Sequence, residues 1–394
     1  MTQLQTFMVV ALPITGMCYA ILGAIKLPLA ERLNMNEAKV GGLVSSFGFM
    51  VGPIILAAGF LTDALGRKGV IIGGALLVAL ALLLLSRTRR YGIAILAVAM
   101  LSAGWAAMIN VANVLMFQAF DSVFMATNIL DGLFGLGAFL TPPLVILMLR
   151  KMGFSLGLSL VGASALIPAL FAVFVHLEAA PVAETAAAAA GFGALIADPI
   201  MWFLALSLMF WAPLESATAA WTTTFVSKLA PAGEDPARGR RIASLTLSGF
   251  WMGFMGSRLI AAVIYHQIDL TSETEIAAAR NIHIIIAVLA GLAMAVLVFS
   301  RSRGLTVGAI LFAGFIFGPF FPNLMALLLS HFDAAVHGRA VGILFAGASI
   351  GWTVIPLIIG AVAKRSSIHR GFVVAVVNAV ILLGIVIAHL IFVS

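Results

Sequence analysis

Twelve long apolar runs constrain the fold more than any other feature of this chain. They lie at 6–29, 38–62, 69–86, 91–117, 123–149, 153–176, 199–226, 242–265, 281–299, 304–329, 338–363 and 371–392. A helix needs about 20 apolar residues to cross the hydrocarbon core of a bilayer, and these runs are of that order. A membrane barrel would instead show short segments of alternating hydrophobicity. No soluble surface can be built from a chain that is 63% hydrophobic and 9% charged. The expectation is an all-α membrane protein with twelve transmembrane helices.

The remaining composition narrows the function. The formal net charge is +7, but the cations sit singly or in short groups between the apolar runs. That pattern describes loops and not a basic face for nucleic acid. A single cysteine, Cys18, excludes an internal disulfide framework. The first run outlasts the apolar stretch of a signal peptide and lacks a basic leader, so it reads as a retained first helix. There is no G-x-x-x-x-G-K-[ST] loop for ATP and no H-E-x-x-H metal motif, and the seven histidines are scattered. No cofactor and no metal are expected, and an enzyme is disfavoured.

The runs divide six and six. Residues 178–198 form a linker with an alanine-rich core, "EAAPVAETAAAAAGFG", between bundles at 1–177 and 199–394. An internal repeat supports this division. Run 5 carries "GAFLTP" (Gly137 to Pro142) and run 11 carries "GWTVIP" (Gly351 to Pro356). "AFD", ending at Asp121, precedes run 5, and "HFD", ending at Asp333, precedes run 11. Asn113 follows Gly104 by nine residues in run 4, and Asn323 follows Gly314 by nine in run 10.

The turn between runs 2 and 3 reads "GFLTDALGRK". Its Gly59, Asp63, Gly66, Arg67 and Lys68 resemble the signature loop of the major facilitator superfamily, and the likeness covers nearly the whole chain. The resemblance implies two pseudo-symmetric six-helix bundles around a solute cavity that opens alternately to each side. It also implies that the loop gates one side, Asp63 pairing with Arg67 and with helix ends of the other half. Gly59 and Gly66 would let backbones approach closely. "NILDGLFGLGA", "INVANVL", "FWAPLESATAAW" and "GFWMGFMGSRL" are similar to segments of the fucose–proton symporter branch. Where the fucose carrier has acids in helices 1 and 4 and a glutamine in helix 5, this chain has Ala24, Ile109 and Asp131. Those departures leave the sugar and the proton route open.

The function so implied is secondary active transport of a small polar solute, most simply a sugar, with a proton or sodium ion as an optional co-substrate. The alternative is an exporter of drugs or metabolites. A receptor or scaffold descended from a transporter is a third option. The expected setting is the lipid bilayer of a bacterial inner membrane, with the linker cytoplasmic and the protein a monomer.

Four ionisable residues fall inside the runs: Lys26, Asp131, Glu215 and Arg258. Each costs roughly 2.5–3.5 kcal/mol near the bilayer centre unless a partner or water receives it. Lys26 is near enough to its helix end to snorkel, although a cavity role stays open. Asp131 and Arg258 lie at similar depths, about 12 and 10 Å from one face at 1.5 Å per residue. The family fold places their helices side by side, so an ion pair that helps close one side is expected, in a cycle or as a static contact. Glu215, beside Pro213, is the other candidate proton carrier or a partner for Arg258. Pro213 removes a backbone bond and is expected to open its helix locally.

Asn110, Asn113, Asn128 and Asn323 offer amides suited to a polyol, or else bond between helices. Trp105, Trp211, Trp221, Trp251 and Trp352 offer flat faces for a sugar ring, or else pack. Superfamily members keep the signature loop and both termini in the cytoplasm. The positive-inside rule points the other way. On the family assignment the cytoplasmic side holds Arg67, Lys68, Arg280 and Arg339, while Arg87, Arg89, Arg90, Arg150, Lys151 and many others lie opposite. The signature loop carries the expectation of the family orientation.

Overall fold

The computed structural model describes residues 2–35, 37–119, 122–175, 177, 192–267 and 272–393. Asp121 and most of the linker lie outside them, as do the side chains of Lys26 and Asp63 and the surroundings of Gly59. The described chain is helical throughout. Helices α1 (Gln3–Arg32), α2 (Glu37–Arg87), α3 (Tyr91–Ala119), α4 (Val123–Ser164) and α5 (Leu166–Phe174) come first. A short α6 (192–197) precedes α7 (Pro199–Lys228), α8 (Pro236–Gln267) and α9 (Ser272–Phe299). Next come α10 (Arg303–Phe317), α11 (Phe320–His331), a 3-10 turn (Ala334–Val336) and α12 (His337–Arg365), then α13 (Ile368–Gly371) and α14 (Val373–Val393).

Among the described residues, eleven helical stretches are long and apolar enough to cross a membrane. Run 2 is represented by a shorter apolar stretch, Ser46–Ala58, within α2. The twelve-helix expectation is consistent with this count.

Helix ends follow local chemistry. Asp198 caps α7 by accepting from Ile200 N at 2.8 Å, and Pro199 takes the first helical position, where no N–H is needed. Ser122 and Ser302 cap α4 and α10 in the same way. Two helices change direction without ending, α2 at Gly66 (φ 72°, ψ 158°) and α4 at Gly153 (φ 76°, ψ 166°). That backbone region is essentially closed to residues with a Cβ. Gly66 was expected to admit a neighbouring backbone, but no described heavy atom comes within 4 Å of where its Cβ would stand. The glycine is required by the turn and not by a contact.

The chain forms two compact units. The first comprises Met1–Ala197 with Leu328–Ala346, and the second Asp198–Leu327 with Gly347–Ser394. In the first unit, α1, α2, α3, α4 and α5 enclose a core that includes Phe7, Leu12, Ile71, Val111, Leu130 and Val175. Here α1 crosses α4 so closely that a Cβ on Gly137 would collide with the carbonyl oxygen of Pro13, and one on Gly16 with that of Phe134. In the second unit α12 crosses α7 similarly, with Gly351 against the carbonyl oxygen of Met209 and Gly347 against that of Ala205. Gly137 and Gly351 are the matched glycines of the sequence repeat, so the motif marks the same kind of crossing twice. The other matched pair behaves differently. Gly104 meets α2 at Gly74, whereas Gly314 meets α8 at Phe250.

Candidate solute-binding and gating residues

In the first unit, α3 carries Asn110 and Asn113 one turn apart, both fully buried. Asn113 donates from Nδ2 to Ile109 O of its own helix at 2.9 Å, and Asn128 donates to Phe124 O at 2.8 Å. Asn110 instead reaches the first turn of α12, donating to Gly338 O at 3.1 Å. All three amide groups therefore satisfy backbone carbonyls, a role the sequence left open beside solute binding. The Oδ1 atoms of Asn110 and Asn113 are buried without a hydrogen-bond partner among the described residues. Near Gly338, Gly342 packs against Leu56 of α2.

Asp131 is buried on α4. The antiparallel register fixed by Gly16 and Gly137 puts it level with Tyr19 of α1. The ring of Tyr19 lies 5.1 Å from that of Trp105, 5.8 Å from Phe134 and 6.1 Å from Phe47. Sequence reasoning found Trp105 but not the other three rings, which look like ordinary apolar residues until four helices bring them together. In the signature turn Arg67 is buried, and Lys68 donates from Nζ to Val173 O at 2.7 Å. Val173 lies in the last turn of α5, where carbonyls lack partners and a cation is favoured.

The second unit is built around a break. Run 10 was expected to be one helix, yet α10 ends at Phe317 and α11 begins at Phe320. Pro322 has no N–H to offer Gly318 O, four residues back, and Arg258 Nε donates to that carbonyl at 2.8 Å. The guanidinium carbon of Arg258 stands 4.2 Å from the ring centre of Phe254, within cation–π range. His283 Nε2 lies 3.0 Å from Phe320 O, with the two rings 4.3 Å apart. Gly318, Pro319 and Pro322 were the sequence signals for this break, and His283 is the site residue the sequence did not single out.

Trp211 of α7 joins the same group. Its ring stacks on Phe320 at 5.4 Å with planes 5° apart, and lies 6.4 Å from Phe254 and 6.3 Å from Phe321. Its Nε1 is buried without a hydrogen-bond partner among the described residues, as is Ser207 Oγ one turn earlier. Glu215 lies one turn later and Asn323 on α11, both buried. Trp211 and Arg258, named separately from the sequence, thus share Phe254. Trp221 does not join them, since it is half-buried and its ring touches α12 at Gly360. Trp352 is half-buried on α12, and Trp251 packs edge-on against Phe250 and Phe254. The expected opening of α7 at Pro213 is not seen, because the helix runs unbroken from Pro199 to Lys228. Met209 O, which Pro213 cannot serve, faces Gly351 instead.

Comparison with solved structures gives the same fold over almost the full length. A variant of the E. coli fucose:proton symporter FucP aligns with a TM-score of 0.75 and 16% identity, over 98% of this chain and 99% of that one. FucP in the outward conformation gives a TM-score of 0.76 and 16% identity, over 97% and 98%. The human organic anion transporter MFSD10 gives 0.74 and 13% identity, over 98% and 99%. At such identities the likeness concerns fold alone. No curated protein matches the sequence. The family profile of the Major Facilitator Superfamily matches residues 7–356, most of the chain. An all-helical membrane chain with this signature turn and this profile belongs to the major facilitator superfamily.

Proposed function

We propose that the chain is a secondary active transporter that carries a small hydroxylated solute of the sugar or polyol class by alternating access, as a monomer in a bacterial inner membrane. The family and fold are those of a transporter and not of an enzyme. One observation carries the choice of solute. Trp211 offers a buried N–H without an acceptor among the described residues, at the edge of an aromatic row. Flat apolar rings with a hydrogen-bond donor at the edge match the two faces of a pyranose, one of C–H groups and one of hydroxyls. Asn113, Asn128 and Asn323 are the proposed amide contacts, and Trp221 and Trp352 lesser ones. Asp131, Glu215 and Arg258 are the proposed coupling groups, since charges buried in spans mark proton relays and solute paths. The turn of Gly59, Asp63, Gly66, Arg67 and Lys68 is the proposed gate.

Uptake of labelled hexoses into proteoliposomes, with and without an imposed pH gradient, tests this reading. Accumulation driven by the gradient, abolished by Asp131→Asn or Glu215→Gln while exchange persists, is expected. Absence of uptake for every sugar and polyol offered would sink it. A second reading has its own observation. Arg258, set against Phe254 beside three further rings, suits an aromatic carboxylate, and one protein of like fold is named an organic anion transporter. Competition between benzoate-type anions and hexoses in the same assay separates the two.

A further inference from the structure

The positive charge of the first unit gathers at one end of it. Of the unit's eleven Lys and Arg, seven lie in the turns at 31–39, 87–90 and 150–151, against two acids, Glu31 and Glu37. Side-chain contacts tie these turns into one rim. Arg32 Nη2 donates to Ser86 O at 3.3 Å and to Ser155 Oγ at 3.2 Å, and its guanidinium carbon lies 5.0 Å from the ring centre of Phe154. Ser86 Oγ meets Ser159 Oγ at 2.9 Å, and Tyr91 donates to Lys39 O at 3.2 Å. Arg32 is thus fixed, yet its Nε stays buried without a hydrogen-bond partner among the described residues. Around it Lys39, Arg87, Arg89, Arg90, Arg150 and Lys151 are exposed. The unit's other end shows little positive surface, since Arg67 and Arg339 are buried and Lys68 is half-buried with Nζ on Val173 O.

From this rim an apolar seam runs between two helices. Gly162 lets α4 approach α2 until a Cβ there would stand 2.9 Å from that of Leu82. Leu80 and Leu83 on α2, with Leu156 and Leu160 on α4, flank this contact and are exposed. The seam leads to a groove whose lining, Ile72, Leu76, Ala163 and Leu170 among others, is all apolar. At 1.5 Å per residue, Leu76 lies about 16 Å along the helix from Arg87, and Ala163 about 18 Å from Lys151. That is roughly half of the ~30 Å hydrocarbon core, the depth that acyl chains of one leaflet reach.

Clustered Lys and Arg next to a membrane span attract anionic headgroups. A guanidinium with a donor to spare suits a phosphate oxygen, with which it makes a charge-assisted hydrogen bond. We infer that the rim and its seam hold an anionic phospholipid, its phosphate among Arg32, Arg87 and Lys151 and one acyl chain along the exposed leucines. A zwitterionic lipid fits the seam equally well but brings an ammonium group toward the same cations. The charge of the rim therefore selects the headgroup, and the leucines distinguish a lipid from a free phosphate. Such binding involves the first unit alone and holds whichever solute is carried.

Melting of the full chain in detergent, titrated with lipid, is the test. Dioleoyl phosphatidylglycerol should raise the melting temperature, while dioleoyl phosphatidylcholine and inorganic phosphate should each have less than half the effect. The combined variant Arg87→Gln, Arg150→Gln, Lys151→Gln changes only exposed side chains and should raise the half-saturating concentration of phosphatidylglycerol about tenfold. Lys364→Gln, Arg365→Gln, Arg370→Gln removes the same charge from exposed positions of the second unit and should leave it unchanged. In the unaltered chain, salt raised from about 0.1 M to about 1 M cuts the screening length from about 10 to about 3 Å and should weaken the effect. Equal protection by phosphatidylcholine, or by phosphate alone, overturns the inference. So does an equal loss in the two triple variants, or protection that salt does not touch.

Discussion

Arg258 and Gly318 are joined by a hydrogen bond of 2.8 Å from Nε to the carbonyl oxygen, across the break between α10 and α11. The bond explains how an arginine can lie buried in a membrane span. It serves a carbonyl that Pro322 cannot reach, and one face of its guanidinium rests on Phe254.

Removing that donor should expose the defect it covers. Arg258→Met leaves a buried carbonyl unbonded, at a cost of about 1–3 kcal/mol. Pro322→Ala supplies an N–H four residues along, so the double variant should recover part of the loss. Thermal unfolding in detergent reads both, and a double variant no more stable than Arg258→Met would refute the account.

The two helix crossings make a matched prediction. Gly137→Ala and Gly351→Ala each drive a methyl into a main-chain carbonyl, and overpacking of this kind costs about 1–3 kcal/mol. Gly73→Ala, with no heavy atom within 4 Å of the new methyl, should be neutral or stabilising by up to about 1 kcal/mol. Yields of folded protein and melting temperatures should rank the three accordingly.

At Gly66 and Gly153 the backbone, and not the neighbours, sets the requirement. Alanine at either has open space but a dihedral pair suited to glycine alone, which predicts a loss of about 1–3 kcal/mol. Gly66→Ala should also impair transport beyond what its stability explains if the signature turn gates. Uptake corrected for folded protein is the measurement.

Trp211 separates stacking from donation. Trp211→Phe keeps a ring beside Phe320 and deletes an N–H that no described protein atom accepts. Stability should hold, while KM for a solute bound through that N–H rises about three- to tenfold, the worth of one hydrogen bond. Trp211→Ala removes the ring as well and should cost about 3–5 kcal/mol of stability.

The spans were legible because a membrane crossing demands a length and a composition that nothing else demands. Run boundaries, the signature turn and the repeat glycines at 137 and 351 all reappear as structure for that reason. The roles of single polar residues were less legible. Asn113 and Asn128 turn back to their own helices and Asn110 to Gly338, choices fixed by rotamer and by which element lies opposite. Pro213 looked like a helix breaker, yet α7 stays whole through it, and the carbonyl it orphans faces a glycine of α12. The break came at Gly318 and Pro319 instead, where small and imino residues adjoin.

A crossing held by main-chain atoms is indifferent to the side chains a few turns away. Because α1 meets α4, and α7 meets α12, at glycine against carbonyl, each crossing places no demand on the side chains elsewhere on those helices. The first unit buries three asparagines beside a four-ring group, and the second a row of aromatic rings beside an arginine. Duplicated architecture fixed at its crossings lets the two units diverge in side chains without losing the packing they share.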